Sequence, residues 1–305
     1  LLQDKKPRTI LLALLVTLFA VGASYVPVFQ GQSKKVVIAG KLGAEPEILI
    51  NMYKLLIENQ TDISVEIKPN FGKTSFLYEA LKSGSIDIYP EYTGTITTTL
   101  LTHPPTDLSN HPEEVYEAAR QAILEQDGLV YLQPMDFQNT FAIAVTEDYA
   151  KANGLTTISD LAKVQGTAVA GFSLEFNDRE DGNLGLKNLY GLNLTVKTME
   201  PALRYEALKN GDVQIVEAFS TDSKVVTYKL KILEDDKQLF PSYQAAPLLS
   251  KETLEKYPEL EQVLGVLAGK ISTEEMTQMN YAVDVEGKSA EEVAREYLIQ
   301  ENLLK

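Results

Sequence analysis

Tyr78-Glu79-Ala80-Leu81-Lys82-Ser83-Gly84 returns as Tyr205-Glu206-Ala207-Leu208-Lys209-Asn210-Gly211, six identities in seven at an offset of 127 residues. In both places glycine closes an amphipathic helical turn and an apolar run follows, the C-cap chemistry of a helix giving way to a strand. Such caps recur by chance, but residue identity in one register is harder to obtain that way. The repeat predicts two lobes of like α/β architecture. At the same offset Tyr92 falls opposite Phe219, and Thr95 opposite Asp222. Open parallel sheets bind ligands beyond the carboxyl ends of their strands, where both aromatics lie. Facing lobes would bring Tyr92 and Phe219 to one cleft; otherwise each is local core packing.

The same alternation extends outward from the repeat. Val36–Ala39, Ile63–Ile67, Ile86–Tyr89, Leu129–Leu132 and Phe141–Thr146 read as strands. Between them, helices are expected from Pro46, over Phe76–Lys82 and over Pro112–Gln126. After Tyr149 the rhythm restarts: helix near Ser159, strand near Ala168, helix from Leu184, strand Thr195–Met199, helix from Ala202, strand Val213–Val216. Lys251–Leu304 is helical throughout its pattern.

The chain has 305 residues and 44% hydrophobic content, enough to bury a sizeable core. No cysteine is present, which excludes disulfides, thiol nucleophiles and Cys-based zinc sites. His103 and His111 are the whole supply for histidine metal sites or triads. A net charge of −15 excludes phosphate-backbone binding of the usual kind, so no nucleic acid partner is expected. No G-x-S-x-G elbow, phosphate-binding loop or H-E-x-x-H motif occurs, and the chain reads as neither an enzyme nor a holder of metal or cofactor.

Lys5, Lys6 and Arg8 precede an uncharged run, Ile10–Phe29, long enough to cross a hydrocarbon core about 30 Å thick. The basic flank stays inside, which places everything after Gln30 outside the cell membrane. Residues 1–29 carry net +2 (Asp4, Lys5, Lys6, Arg8), leaving −17 on the remainder. A signal peptide cleaved near Ala20–Ala23 is the other reading. The start at Leu1 suggests a fragment of a longer polypeptide whose last membrane helix this segment would be.

Tyr89, Tyr92, Phe141, Phe219 and Tyr243 stand at strand ends and in loops rather than in apolar stripes. A quaternary ammonium ion donates no ordinary hydrogen bond and is held by ring faces packed around its methyl groups. Sugar stacking or core filling would use the same residues. Asp178-Arg179-Glu180-Asp181 is either a surface ion-pair cluster or a two-pronged grip for a ligand carboxylate.

Asp87-Ile88-Tyr89-Pro90-Glu91-Tyr92-Thr93-Gly94-Thr95 resembles the substrate-binding proteins of osmoprotectant importers, which take glycine betaine, choline or carnitine. The resemblance continues at Arg179-Glu180-Asp181-Gly182, Gly185-Leu186, Tyr190-Gly191, Phe219-Ser220-Thr221-Asp222 and Tyr243-Gln244-Ala245-Ala246-Pro247, covering the chain from Lys35 onward. It implies a two-lobed periplasmic-binding-protein fold with two crossovers, near Asp136–Phe141 and Leu239–Tyr243. Residues 35–137 plus 243–305 would form lobe one and 138–242 lobe two, after a membrane helix and tether over 1–34. By resemblance, Tyr92, Phe141, Phe219 and Tyr243 form an aromatic cage. Arg179 and Lys41 would hold a ligand carboxylate, helped by Thr95.

One departure is large. The family's Lys-Asn-Phe-Thr-Glu-Gln is here Lys41-Leu42-Gly43-Ala44-Glu45-Pro46, and its Gly-Gly-Thr is Gly72-Lys73-Thr74. In this the chain is similar to ergothioneine importers of Gram-positive bacteria, whose binding domain is fused to the permease behind its last membrane helix. That resemblance implies an extracellular solute-binding domain that feeds its own ABC permease and, through it, the ATPase subunit. Its ligand would be ergothioneine, with choline, carnitine or glycine betaine as the alternative. Glu45, Thr74 and Ser75 would meet the thioimidazole. A sensor or an enzyme built on the same fold is the competing class.

Overall fold

The computed structural model describes residues 34–105, 108–201 and 203–304. Ten strands form: β1 (Lys35–Lys41), β2 (Ser64–Gly72), β3 (Ile88–Tyr92), β4 (Leu129–Tyr131), β5 (Phe141–Thr146), β6 (Val169–Phe172), β7 (Thr195–Thr198), β8 (Ile215–Phe219), β9 (Leu230–Leu233) and β10 (Ala245–Ser250). They make two sheets, ordered β2-β1-β3-β10-β4 and β7-β6-β8-β5-β9. In each sheet three strands run parallel and a fourth is inserted antiparallel beside them. That fourth strand, β10 or β5, follows directly on a passage of the chain from one sheet to the other. The two sheets are therefore the same design, and β3 and β8 lie 127 residues apart at both ends, the offset of the sequence repeat.

Both faces of each sheet are covered, as parallel sheets require. In β1, Ile38 joins one core with helix Ala44–Gln60 and the C-terminal helices, while Ala39 joins the opposite core with Leu77, Leu81 and Tyr89. Successive side chains of a strand point to opposite faces, so one short run serves two layers. Helix Ala44–Gln60 is buried almost all round: Ile48, Leu49, Met52, Tyr53 and Leu56 have no exposed surface. Its packing against helix Ala290–Gln300 fixes where its first turn, with Glu45, sits. The second sheet repeats this, with Ile143 and Val145 in one core and Ala144 and Val216 in the other.

The two passages between the sheets run side by side. Gln138 pairs antiparallel with Gln244, and the Asn139 amide donates to the Tyr243 carbonyl at 3.0 Å.

Strands β9 and β10 and helix Glu147–Asn153 are absent from the sequence reading. For β10 the reason is local: Ala-Ala-Pro-Leu-Leu-Ser contains a proline, which argues against a central strand because it cannot donate to the ladder. In the structure Pro247 stands opposite Pro90, so two missing donors fall on a single rung. Of the membrane segment and tether expected over 1–34, residues 1–33 lie outside the described residues. Among the described residues no helix is long and apolar enough to cross a membrane.

Candidate ligand-binding site

A cleft of about 340 Å³ opens beyond the carboxyl ends of β1, β3 and β8, walled by Lys41, Glu45, Tyr92, Asn139, Phe219, Thr221, Asp222 and Asn280. Larger hollows of about 470 and 710 Å³ lie elsewhere, but neither reaches Glu45, Tyr92 or Phe219. The smaller cleft is the one placed by the strand ends of both sheets, where this architecture binds ligands.

Tyr92 closes β3 and is 7% exposed. Its hydroxyl donates to Glu45 Oε1 at 2.6 Å. Burial drives its pKa well above the usual 10, and the Glu45 charge pushes the same way, so the phenol remains a donor. The Lys41 ammonium lies 5.2 Å from the Tyr92 ring centroid and is ion-paired with Glu91, which is fully buried and also accepts from the Tyr89 hydroxyl at 3.1 Å. Lys41 thus reaches the cleft already partnered.

Phe219 closes β8 and is 44% exposed, on the lining of the cleft. It faces Phe141 across the β5–β8 ladder and stacks on it, centroids 5.1 Å apart and planes at 19°. Phe141 in turn meets Phe176 edge-on at 5.2 Å, anchoring the pair in the lobe core. The Arg179 guanidinium sits 5.5 Å from the Phe141 centroid, with its fork on Asp181: Nε to Oδ1 at 2.6 Å and Nη2 to Oδ2 at 2.7 Å. A ligand carboxylate at Arg179 would share that fork with Asp181.

Tyr243 lies against Gly94, where an added Cβ would come within 2.6 Å of its ring carbons. The glycine is the seat of the ring. Gly94→Ala is expected to cost about 1–3 kcal/mol by overpacking and to move the Tyr243 ring. If that ring belongs to the cage, calorimetric affinity for a trimethylammonium ligand falls about tenfold; unchanged affinity removes Tyr243 from the site.

Of the residues expected from sequence, Lys41, Glu45, Tyr92 and Phe219 meet on one wall, Phe141 stacks on Phe219, and Arg179 lies against Phe141. Thr74 and Ser75 begin helix Thr74–Lys82, and the residues lining the cleft include neither them nor Thr95, Phe141, Arg179 or Tyr243; Phe141 lines the neighbouring hollow of about 470 Å³. Asn139, Ser223, Asn280 and Asp284 line the cleft and are absent from the sequence reading. Asn139 donates to Glu45 Oε1 at 2.9 Å; Asn280 donates to Glu45 Oε2 at 3.1 Å and to the Thr221 carbonyl at 2.9 Å. Asn280 carried a signal: it occupies an apolar position in the pattern Met276, Met279, Asn280, Val283 of helix Thr273–Asp284. Asn139 lies in a passage between sheets, where no periodicity marks it.

Residues 34–300 match the family model of the substrate binding domain of ABC-type glycine betaine transport systems. The chain belongs to this family. It is 35% identical to the carnitine transport binding protein of Listeria monocytogenes, over 90% of this chain and 90% of that protein. It is 32% identical to the ergothioneine transport permease/ergothioneine binding protein of Helicobacter pylori, over 97% of this chain but 53% of the relative's length. Among solved structures, a glycine betaine/carnitine/choline ABC transporter protein at 32% identity superposes with a TM-score of 0.83, over 90% of this chain and all of the other. The two-lobed α/β periplasmic-binding-protein fold is therefore shared. Members of this family are substrate-binding components of ABC importers, which bind and hand over their ligand without turning it over.

Proposed function

We propose that the domain captures a trimethylammonium zwitterion, ergothioneine foremost, outside the membrane and delivers it to a permease served by an ABC ATPase. The observation that carries the quaternary-ammonium reading is the half-exposed Phe219 ring, stacked on Phe141 and opening on the same cleft as Tyr92. Ring faces held rigid by core packing are what a cation without N–H donors requires. The volume of about 340 Å³ is at the small-ligand end of protein pockets, which span about 300–1,000 Å³. The lobes are read as residues 35–137 with 243–305 and residues 138–242, closing on the ligand about the paired crossovers. Membrane attachment through residues 10–29 at a Gram-positive surface, beside the chain's own permease, belongs to the same proposal. Tethering of that kind raises the effective concentration of receptor at permease.

Ergothioneine is supported by the altered loop Lys41–Pro46, by the similarity to an ergothioneine permease/binding protein over 97% of the chain, and by polar groups beside the rings. A second reading, choline, carnitine or glycine betaine, is favoured by the 35% identity to a carnitine-binding protein. Calorimetry with the four compounds separates them. Ergothioneine is expected to bind at least tenfold more tightly than the others; the opposite ranking selects the osmolyte reading, and no binding by any of the four sinks both.

A further inference from the structure

Three carboxylates are buried among the described residues: Glu45, Glu91 and Glu217, at 5%, 0% and 1% exposure. Glu91 is ion-paired with Lys41, and Glu217 with Arg204 at 3.1 Å. Among the described residues Glu45 has no such partner. Its contacts are the Tyr92 hydroxyl and the amides of Asn139 and Asn280, all neutral. A buried carboxylate without a cation is costly, and the two others follow the rule that buried charges are paired. Glu45 is also the one of the three on the wall of the cleft.

Its neutral donors hold the charge in place without cancelling it. So does its position in the first turn of helix Ala44–Gln60, where the backbone presents partial positive charge. Beside it, Asn280 is 6% exposed and its Oδ1 has no hydrogen-bond partner, a second acceptor left open on the same wall. The wall around Tyr92 and Phe219 is thus an anion fixed in advance with its counter-charge missing.

We propose that Glu45 is the counter-charge of the ligand: the cationic head enters beside the rings, completes the third buried ion pair, and makes the site select positive charge rather than apolar shape. This rests on the quaternary-ammonium reading of the cleft. It adds to what the rings do: ring faces take a neutral tert-butyl group by burial and a cation through their quadrupole as well, whereas a fixed anion acts on the charged one alone, so the share of the preference that Glu45→Gln removes is the share Glu45 supplies.

The test compares choline with its uncharged isostere 3,3-dimethylbutan-1-ol, and includes ergothioneine, on the wild-type domain and on Glu45→Gln. Glutamine keeps an acceptor for Tyr92 and Asn139 and removes the charge. The expected result is that Glu45→Gln lowers affinity for the tightest-binding cation by at least about tenfold and narrows its preference over the neutral isostere by a similar factor. The ligand-free variant is expected to melt no lower than wild type, because an unpaired buried charge has been removed. Cation affinity unchanged in Glu45→Gln, with wild-type binding intact, overturns the counter-charge and leaves the quaternary-ammonium reading standing. A fall in melting temperature with an equal loss for the cation and the isostere assigns Glu45 to the scaffold and also overturns it. Failure of the wild type to bind any of the cations overturns the reading of the cleft, and this proposal with it.

Discussion

Phe219→Ala is expected to weaken binding of trimethylammonium ligands by about 30-fold or more while leaving the ligand-free domain folded. A desolvated ring face contributes about 2 kcal/mol to holding a cation, and each 1.4 kcal/mol is tenfold in affinity. The cost to the fold is smaller, because the ring is 44% exposed and its main packing partner is Phe141. Loss of one aromatic pair removes about 0.5–1.5 kcal/mol, which lowers the melting temperature of a domain this size by only a few degrees. Phe219→Leu refines the result, since leucine keeps apolar surface and lacks the ring quadrupole. Calorimetry should place it between alanine and wild type for choline and close to wild type for the neutral isostere. Wild-type affinity in Phe219→Ala would remove this ring from the site and, with it, the main support for an aromatic cage.

Phe219 was readable before any coordinates because the repeat Tyr78–Gly84 and Tyr205–Gly211 fixes the register of β3 against β8, and Tyr92 and Phe219 close those strands. Local chemistry, a glycine C-cap, an apolar run and an aromatic at its end, placed both rings at strand ends but left core packing open; the cage itself came from the family resemblance. What periodicity could not convey is everything set by contacts distant in sequence. Glu45 meets Asn280 across 235 residues and Asn139 across 94. No pattern in the stretch Lys41–Glu47 indicates that Glu45, in the first turn of its helix, is buried against the Tyr92 hydroxyl. Arg179 shows the converse. Its neighbours Asp178, Glu180 and Asp181 admitted both a surface ion pair and a ligand grip; the structure has the guanidinium on Asp181 and against Phe141, an arrangement that local sequence did not specify. Thr74 and Ser75 follow a substituted loop motif, yet the helix they begin does not put them on the cleft wall. Residues at strand ends were legible because strand direction fixes where they go; residues on connecting loops depend on how the loop is packed.

The second large effect concerns what holds the cleft wall in place. Arg204→Met is expected to destabilise the protein by about 3–5 kcal/mol, the usual cost of stripping one partner from a buried ion pair. Arg204 is 6% exposed and Glu217 1%. Glu217 Oε1 accepts from Arg204 Nη1 at 3.1 Å and from the Ser173 amide at 2.9 Å, while Glu217 Oε2 and Arg204 Nε have no partner. With the arginine gone, a full negative charge remains in the core of the second sheet with one backbone donor to stabilise it. Adding Glu217→Gln should recover most of the loss, because the amide oxygen still accepts from Ser173 and no charge is left unpaired. Thermal melts of the single and double variants read this directly; a single variant within 1 kcal/mol of wild type would mean the pair is dispensable. The coupling extends toward the ligand. Arg204 Nη2 donates to the Tyr205 hydroxyl at 3.3 Å, and that hydroxyl donates to Asp222 Oδ2 at 2.6 Å in the turn after Phe219. Arg204 therefore supports both the strand and the turn that present Phe219, and in Arg204→Met the ligand affinity should fall less than in Phe219→Ala, since the ring itself remains.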